Sequence, residues 1–185
     1  MKTYKILSPG KAYHLINTGA MLVLSTVSSD GIYNMAPIAW HCPVDYDPVT
    51  RMAFVSDAGH KTLKNIKETS KFIACLPHLS QLKLVKELGD ISGHSVNKME
   101  KLKLDVIKGE KVDCLILPDC IGYIECTVYR MVDDKEVVMV FGEAVHAAVD
   151  ENAYSGRLLT ENAEGKAIYH LGGKVFTTAG NEISS

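Results

Sequence analysis

The amino-acid sequence predicts a mainly β protein with some α-helix, arranged as an antiparallel β-barrel with peripheral helices. β-rich runs outnumber helical ones, and the turns between them suit hairpins rather than βαβ crossovers. Apolar residues make up 46% and charged residues 23% of the 185 residues, which is the composition of an ordinary folded chain. One core is sufficient at this length, so we expect a single domain over residues 1–185.

The first third of the chain combines a helix with a hairpin. Residues 8–18 predict a short helix, because a Ser-Pro pair suits its start and a glycine follows its end. Residues 21–27 form a β-rich run, and the Asp30-Gly31 pair that follows is a strong hairpin signal. The return strand over residues 32–42 contains Pro37, which has no N–H for a ladder. This strand is therefore expected to be irregular or to lie at a sheet edge.

The remaining elements continue the alternation of strands and helices. Hydrophobic periodicity predicts strands over residues 51–56, 71–76, 121–132 and 137–149, and helices over residues 60–69, 79–88 and 96–102. The last two strands are long and are joined by a short Asp-Asp-Lys turn. Little helix is expected after them.

Charge and hydropathy exclude two classes of partner. With 20 basic and 22 acidic side chains, the formal net charge is −2, which gives no electrostatic footprint for nucleic acid. The apolar runs are too short to cross a bilayer, and the N-terminal residues lack the apolar segment of a secretory signal. The sequence therefore predicts a cytoplasmic protein that binds neither nucleic acid nor membranes.

Five cysteines are present, and an odd number without a secretory signal argues against a disulfide framework. Cys114, Cys120 and Cys126 recur every six residues, a spacing that would place them on one face of a strand. No Cys-x-x-Cys pair or suitably spaced histidine completes a zinc site. We interpret the three as buried packing thiols, with redox or metal chemistry as the alternative.

Common catalytic and nucleotide-binding motifs are missing. The sequence contains no Gly-x-Gly-x-x-Gly fingerprint, no Gly-x-x-x-x-Gly-Lys-Ser/Thr loop, no His-Glu-x-x-His and no Gly-x-Ser-x-Gly. Its seven histidines are dispersed along the chain. We therefore nominate neither a catalytic residue nor a metal site.

One polar loop indicates a candidate binding site. Residues 56–62 read Ser-Asp-Ala-Gly-His-Lys-Thr and lie between a predicted strand and a predicted helix. The unpaired N–H groups of a helix N-terminus suit a phosphate, and His60, Lys61 and Thr62 would add charge and a hydroxyl donor there. Four lysines against two acidic residues between positions 57 and 71 give this stretch a local positive excess. The alternative is an ordinary N-cap with a solvated lysine.

Several short motifs, taken in order, resemble the flavin reductase-like family of FMN-binding split barrels, in particular its flavoredoxin branch. No single motif is specific, and their collinear order over about residues 10–175 carries the resemblance. They are Asn34-x-x-Pro37-x-x-Trp40, Ser56, His60-Lys61-Thr62-x-x-Asn65-Ile66, Phe141-Gly142-Glu143 and residues 71–77, 92–99, 124–126 and 169–173. The resemblance refines the expected fold to an antiparallel split β-barrel.

The resemblance also implies a cofactor site at the interface of a homodimer. In this family FMN lies with its ring along the irregular strand and its phosphate in the strand–helix loop. By position, Lys98 would lie near the polar edge of the ring and Tyr169 would be the closing aromatic residue; a solvated helical face is the alternative for Lys98. The ring would lie along Asn34, Met35, Ala36, Pro37 and Trp40, and the phosphate and ribityl chain would be held by Ser56, His60, Lys61 and Thr62, with Asn65 bracing the loop.

The function implied by this resemblance is that of an FMN-dependent NAD(P)H oxidoreductase. NADH or NADPH would pass hydride to FMN, and the reduced flavin would then reduce a protein or small-molecule acceptor. Lys98 or His60 would stabilise negative charge on the reduced ring. Two alternatives stay open: an FMN-binding electron carrier that does not react with NAD(P)H, and a barrel with an empty pocket that acts in assembly. The acceptor and the nicotinamide preference are not predicted.

Overall fold

The computed structural model describes residues 15, 19–180 and 182–183, so the predicted helix over residues 8–18 lies outside the described residues except for Leu15. The α-helices in this part of the chain are α1 (Lys61–Thr69), α2 (Leu82–Asp90) and α3 (Lys98–Leu102). The strands are β1 (Leu22–Val27), β2 (Tyr33–Ile38), β3 (His41–Asp45), β4 (Arg51–Asp57), β5 (Lys71–Leu76), β6 (Ile107–Lys108), β7 (Leu115–Ile116), β8 (Gly122–Asp134), β9 (Val137–Val149), β10 (Tyr169–Gly172) and β11 (Val175–Thr177). Among the described residues, none of the helices has the length and apolar character needed to span a bilayer.

A seven-stranded antiparallel sheet forms the body of the fold, in the order β2-β1-β5-β8-β9-β4-β3. Its two edge strands, β2 and β3, follow each other in the chain and are separated only by Ala39 and Trp40. The chain pairs with β1 before this break and with β4 after it. The two ends of the sheet therefore meet, and the sheet closes into the antiparallel barrel that the sequence predicted.

The β1–β2 hairpin turns where the Asp-Gly signal predicted. Gly31 has φ of 82°, a left-handed conformation that glycine adopts without a steric penalty. Pro37 lies opposite Val23 on the edge strand β2, which confirms the expected edge position. The prediction of one continuous strand over residues 32–42 is wrong, because the chain changes pairing partners at residues 39–40.

The helices attach to the barrel through apolar faces. Leu63 and Ile66 of α1 are fully buried in a cluster with Phe54 and Phe72, whose rings meet edge to face at 5.3 Å. In α2, Val85 and Leu88 pack into a second cluster that includes Met35. A 3₁₀ turn over Leu79–Gln81 precedes α2, so the predicted helix over residues 79–88 starts as a tighter turn and continues to residue 90.

A buried carboxylate fixes the segment that precedes β7. Glu125 on β8 is fully buried, and its carboxylate accepts hydrogen bonds from the N–H groups of Glu110, Lys111 and Val112 at 2.7–2.8 Å. Burial raises the pKa of Glu125, but the three N–H donors favour the charged form more strongly and hold the pKa below its usual value. One side chain thereby anchors a loop that otherwise has little regular structure.

The cysteines do not share one strand face, so that prediction is wrong. Cys114 precedes β7, Cys120 lies in the turn before β8, and only Cys126 lies within β8. Cys114 and Cys126 are buried in different apolar clusters, whereas Cys120 is half-buried. The packing interpretation holds for the two buried thiols. The described residues contain no cluster of three or more metal-ligating side chains.

We expect Glu125→Gln to lower the free energy of unfolding by about 1–3 kcal/mol, because an amide cannot accept all three N–H bonds. The folded-state pKa is depressed, so the carboxylate contributes stability above the ordinary value of 4.5 and loses it as the pH falls below that value. The free energies of unfolding of the wild type and the variant, measured with urea, should therefore converge in acid. Glu136→Gln, at an exposed position, is the control; an equal loss there would contradict this role.

Candidate functional site

A pocket of about 500 Å³ opens beside the first turn of α1. Its walls come from β2, the end of β4, the start of α1, the end of α2 and the loop that precedes α3. Its volume lies in the range of small-molecule sites. The sequence-predicted residues that line it are Asn34, Ala36, Pro37, Ser56, His60, Lys61, Thr62 and Lys98.

Four predicted residues lie outside this lining. The side chain of Met35 is fully buried in the core, and Asn65 is buried on α1. Trp40 is 48% exposed at the break between β2 and β3. Tyr169 forms an antiparallel bridge with Ala20 and packs on a third apolar cluster. The structure therefore does not bring Met35, Trp40 or Tyr169 into the pocket with the others.

A buried hydrogen-bond network lies behind the pocket. Asn34 Nδ2 on β2 donates to Thr62 Oγ1 on α1 at 3.1 Å. Asn65 Nδ2, one turn further along α1, donates at 3.1 Å to Thr26 Oγ1 on β1, and Thr26 donates in turn to the backbone oxygen of Asn34. All four side chains are at least 97% buried. The network fixes the start of α1 against the β1–β2 hairpin.

The N-terminus of α1 faces the pocket. His60 occupies the N-cap position with φ of −72° and ψ of 140°, and no side-chain hydrogen bond within the described part of the chain caps this end. The first turn contains no acidic residue. Because Thr62 Oγ1 accepts from Asn34, its own proton points elsewhere and can be donated to a ligand. With Lys61 alongside, this helix end can bind an anion such as a phosphate.

The loop before α3 closes the opposite side of the pocket. A Cβ atom on Gly93 would lie 2.1 Å from Asn34 Oδ1, so only glycine allows the loop to pass this close to Asn34. His94 Nε2 lies 2.8 Å from the backbone oxygen of Gly59 and ties the loop to the segment before α1. Neither Gly93 nor His94 is among the predicted site residues, although both lie in the 92–99 motif.

Lys98 is buried, so the alternative of a solvated helical face is wrong. It is only 3% exposed, and its Nζ donates to the backbone oxygens of Met35 at 2.8 Å and Leu88 at 2.7 Å. Burial lowers the pKa of Lys98 to about 8. Both acceptors are uncharged carbonyls, so below that pH they leave the positive charge of the ammonium group uncompensated. The pocket therefore has a cation in its wall.

A second, smaller pocket adjoins the first. It has a volume of about 280 Å³ and shares Pro37, Gly89 and Asp90 with the larger pocket. Pro37 and Gly89 form the dividing wall, where a Cβ on Gly89 would lie 3.1 Å from Pro37 Cγ. Its remaining lining combines the apolar side chains Met21, Val85 and Phe176 with the basic residues Lys86, His170 and Lys174. Two ligands could therefore lie side by side at this end of the barrel.

Together these features define an antiparallel barrel with a pocket whose lining can bind an anion. Residues 13–169 match the family model described as "Flavin reductase like domain". The chain therefore belongs to the flavin reductase-like family, as its motifs predicted.

Similar proteins extend over most of the chain. An uncharacterized protein of Archaeoglobus fulgidus is 28% identical over 150 residues, covering 80% of this chain and 82% of the relative. A flavoredoxin from Methanosarcina acetivorans has the same fold with a TM-score of 0.83 at 19% identity, covering 100% of this chain and 95% of that one. An FMN-binding protein from Thermus thermophilus, solved with bound p-hydroxybenzaldehyde, has a TM-score of 0.83 at 17% identity. This match covers 100% of this chain and 99% of that one.

We expect Thr62→Val to lower the free energy of unfolding by about 1–3 kcal/mol, because it leaves the buried amide of Asn34 without its acceptor. Thr62→Ser keeps the hydroxyl and is the matched control, with a loss well below that of the valine variant. Denaturant unfolding measures both. Equal stabilities of the two variants would show that the hydroxyl contributes nothing to holding α1.

Proposed function

We propose that this chain is a cytoplasmic, FMN-dependent NAD(P)H oxidoreductase. The observation that carries the proposal is one pocket that brings together two groups of donors. The N-terminus of α1, which no side chain of the described residues caps, lies there with Lys61 and the Thr62 hydroxyl, across from the buried Lys98 ammonium group. The flavoredoxin of Methanosarcina acetivorans and the FMN-binding protein of Thermus thermophilus, which share the fold, support a flavin as the ligand. Five cysteines without a disulfide suit a reducing compartment.

The residues of the pocket fit the parts of FMN. The start of α1, with Lys61 and Thr62, would bind the phosphate through N–H, ammonium and hydroxyl donors. Ala36 and Pro37 on the edge strand β2 would lie along the ring. Lys98 would hold a positive charge near the polar edge of the ring and favour the anionic form of the reduced ring. When bound, FMN supplies the hydride and electron chemistry.

The smaller pocket favours a reductase over a simple electron carrier. It borders the proposed ring position at Pro37, Gly89 and Asp90, so the ring of a nicotinamide nucleotide bound there would extend past this edge to contact the flavin. Lys86 and Lys174 would attract its phosphates, and the apolar lining would accept its rings. No residue of this chain is proposed as an acid or base, because hydride transfer between a nicotinamide and a flavin would need none. The reduced flavin would then pass electrons to a protein or small-molecule acceptor.

The protein is also proposed to act as a homodimer. An apolar depression of about 440 Å³ lies on β1, β5, β8 and β9, and its lining includes Leu22, Leu76, Ile124 and Val149. Further apolar side chains exposed on the two long strands are Tyr129, Met131, Val132, Met139 and Val145. Apolar patches of this kind commonly form interfaces, and two copies of one face are complementary across a two-fold axis. A partner would also cover the open side of the flavin pocket.

Lys61→Ala should weaken FMN binding by about 1–3 kcal/mol, because it removes a charged donor to the phosphate. Lys64→Ala is the matched control, since Lys64 is an exposed lysine on the same helix that does not line the pocket. Titration of each variant with FMN, followed by flavin fluorescence, measures both affinities. If the two variants lose affinity equally, the effect is general electrostatics and the phosphate position is wrong.

Anaerobic stopped-flow mixing tests the activity. FMN-loaded protein should lose its visible flavin absorbance on mixing with NADH or NADPH, and faster than free FMN at the same concentration. If the protein binds FMN but neither nucleotide bleaches it, the electron-carrier alternative is correct. A protein that does not bind FMN would support the assembly alternative instead.

Light scattering on the purified protein should give the mass of a dimer at micromolar concentration. Ile124→Asp, placed in the apolar depression, should shift the mass toward the monomer. Lys83→Asp, at an exposed position on α2, is the control and should leave the dimer intact. A monomeric wild-type protein would refute the dimer.

A further inference from the structure

Two cysteines from distant parts of the sequence meet at the end of the barrel. Cys75 lies in β5 and is fully buried, and Cys120 lies in the turn that leads into β8 and packs on the same apolar cluster. Leu117 N donates to Cys75 Sγ at 3.3 Å, and Ile121 N donates to the backbone oxygen of Leu76 at 2.8 Å. Both ends of the turn are thus attached to β5, and this attachment places Cys120 beside Cys75 in the same apolar cluster.

The turn stabilises the thiolate of Cys120. Asp119 has φ of 54°, a left-handed conformation that bends the chain directly before Cys120. Interaction with the Cys75 thiol and with nearby backbone N–H groups lowers the pKa of Cys120 despite partial burial. Interaction with Cys120, together with burial, raises the pKa of Cys75. These directions agree with the positions of the two thiols, since Cys120 is half-buried and Cys75 is fully buried.

Access from solvent is also unequal. Cys120 borders a surface depression of about 260 Å³, whereas Cys75 lies beneath it in the core. Cys114 and Cys126 are buried, and burial raises the pKa of each to about 12. A small oxidant therefore reaches Cys120 before any other thiol of the core.

We propose that Cys75 and Cys120 form a reversible dithiol–disulfide site. A peroxide oxidises the Cys120 thiolate to a sulfenic acid, and the peroxide is reduced to water. The sulfur of Cys75 then attacks the sulfenic sulfur; the S–S bond forms, the S–OH bond breaks, and the proton of Cys75 leaves with the hydroxide as a second water. Two thiols and one hydrogen peroxide thus give one disulfide and two waters, and an external dithiol reverses the reaction.

This site is separate from the proposed flavin pocket, since neither cysteine lines it. Cys120 differs from Cys114 and Cys126, because it combines a neighbouring thiol with access to solvent, whereas the other two are buried. The modification needs no flavin, so its test is independent of the proposed activity.

The test is peptide mapping of the wild-type protein. After treatment with equimolar hydrogen peroxide, the remaining thiols are blocked with N-ethylmaleimide and the protein is digested without reduction. We expect the protein to lose two hydrogen atoms and to yield one linked peptide pair containing Cys75 and Cys120, which dithiothreitol separates. Alkylated Cys75 in the oxidised protein, with Cys120 as a sulfinic acid or in another pairing, would overturn the proposal.

Three variants sharpen the result. Cys75→Ser should leave Cys120 as a sulfenic acid that dimedone traps, and Cys120→Ser should protect Cys75 from peroxide. Cys42→Ser is the matched control, because Cys42 is exposed on β3, and the bridge should form in it as in wild type. Peroxide loss of the Cys75 thiol at an unchanged rate in Cys120→Ser would contradict the order of steps. If a variant fails to fold, the wild-type map alone decides.

Discussion

The position of the pocket depends on the buried amide–hydroxyl network that joins Asn34, Thr62, Asn65 and Thr26. Three separate elements contribute to it, so the start of α1 cannot shift without leaving a buried polar group unpaired, which is costly in a low-dielectric interior. The loop before α3 depends on the same network, because Gly93 packs directly on the Asn34 amide. The Asn34 amide and the Thr62 hydroxyl thus position both the start of α1 and the loop on the opposite side of the pocket.

Among the residues that the structure describes, two charged side chains are buried, and their backbone partners have opposite effects on the charged form. The carboxylate of Glu125 receives three N–H donors, so its pKa falls and its charge stabilises a loop. The ammonium group of Lys98 has two carbonyl acceptors, which do not offset its burial, and its pKa falls toward neutrality. The first charge is satisfied within the protein. The charge of Lys98 is not, and an anionic ligand in the adjoining pocket would compensate it.

The sequence predicted local features well because they rest on local chemistry. The Asp30-Gly31 turn and the edge position of Pro37 follow from backbone conformations and donors that single residues impose. The sequence failed where distant segments meet. The exchange of partners at residues 39–40 requires β1 and β4 on either side, and the contact between Cys75 and Cys120 requires a turn folded back on β5. Periodicity contains no information about such pairs. The six-residue cysteine spacing predicted one strand face, but of these three cysteines only Cys126 lies within a strand.

The near-neutral charge of the chain conceals how its cations are distributed. The formal net charge is −2, yet Lys61 from α1, Lys98 from α3 and Lys86 from α2 all line the two adjoining pockets, with Asp90 as an acidic neighbour. Only the first of these lysines belongs to the basic stretch seen in the sequence. Folding, rather than composition, concentrates positive charge at this end of the barrel. A fold with little net charge can therefore attract a phosphate-bearing ligand locally while it avoids the non-specific binding of a basic protein.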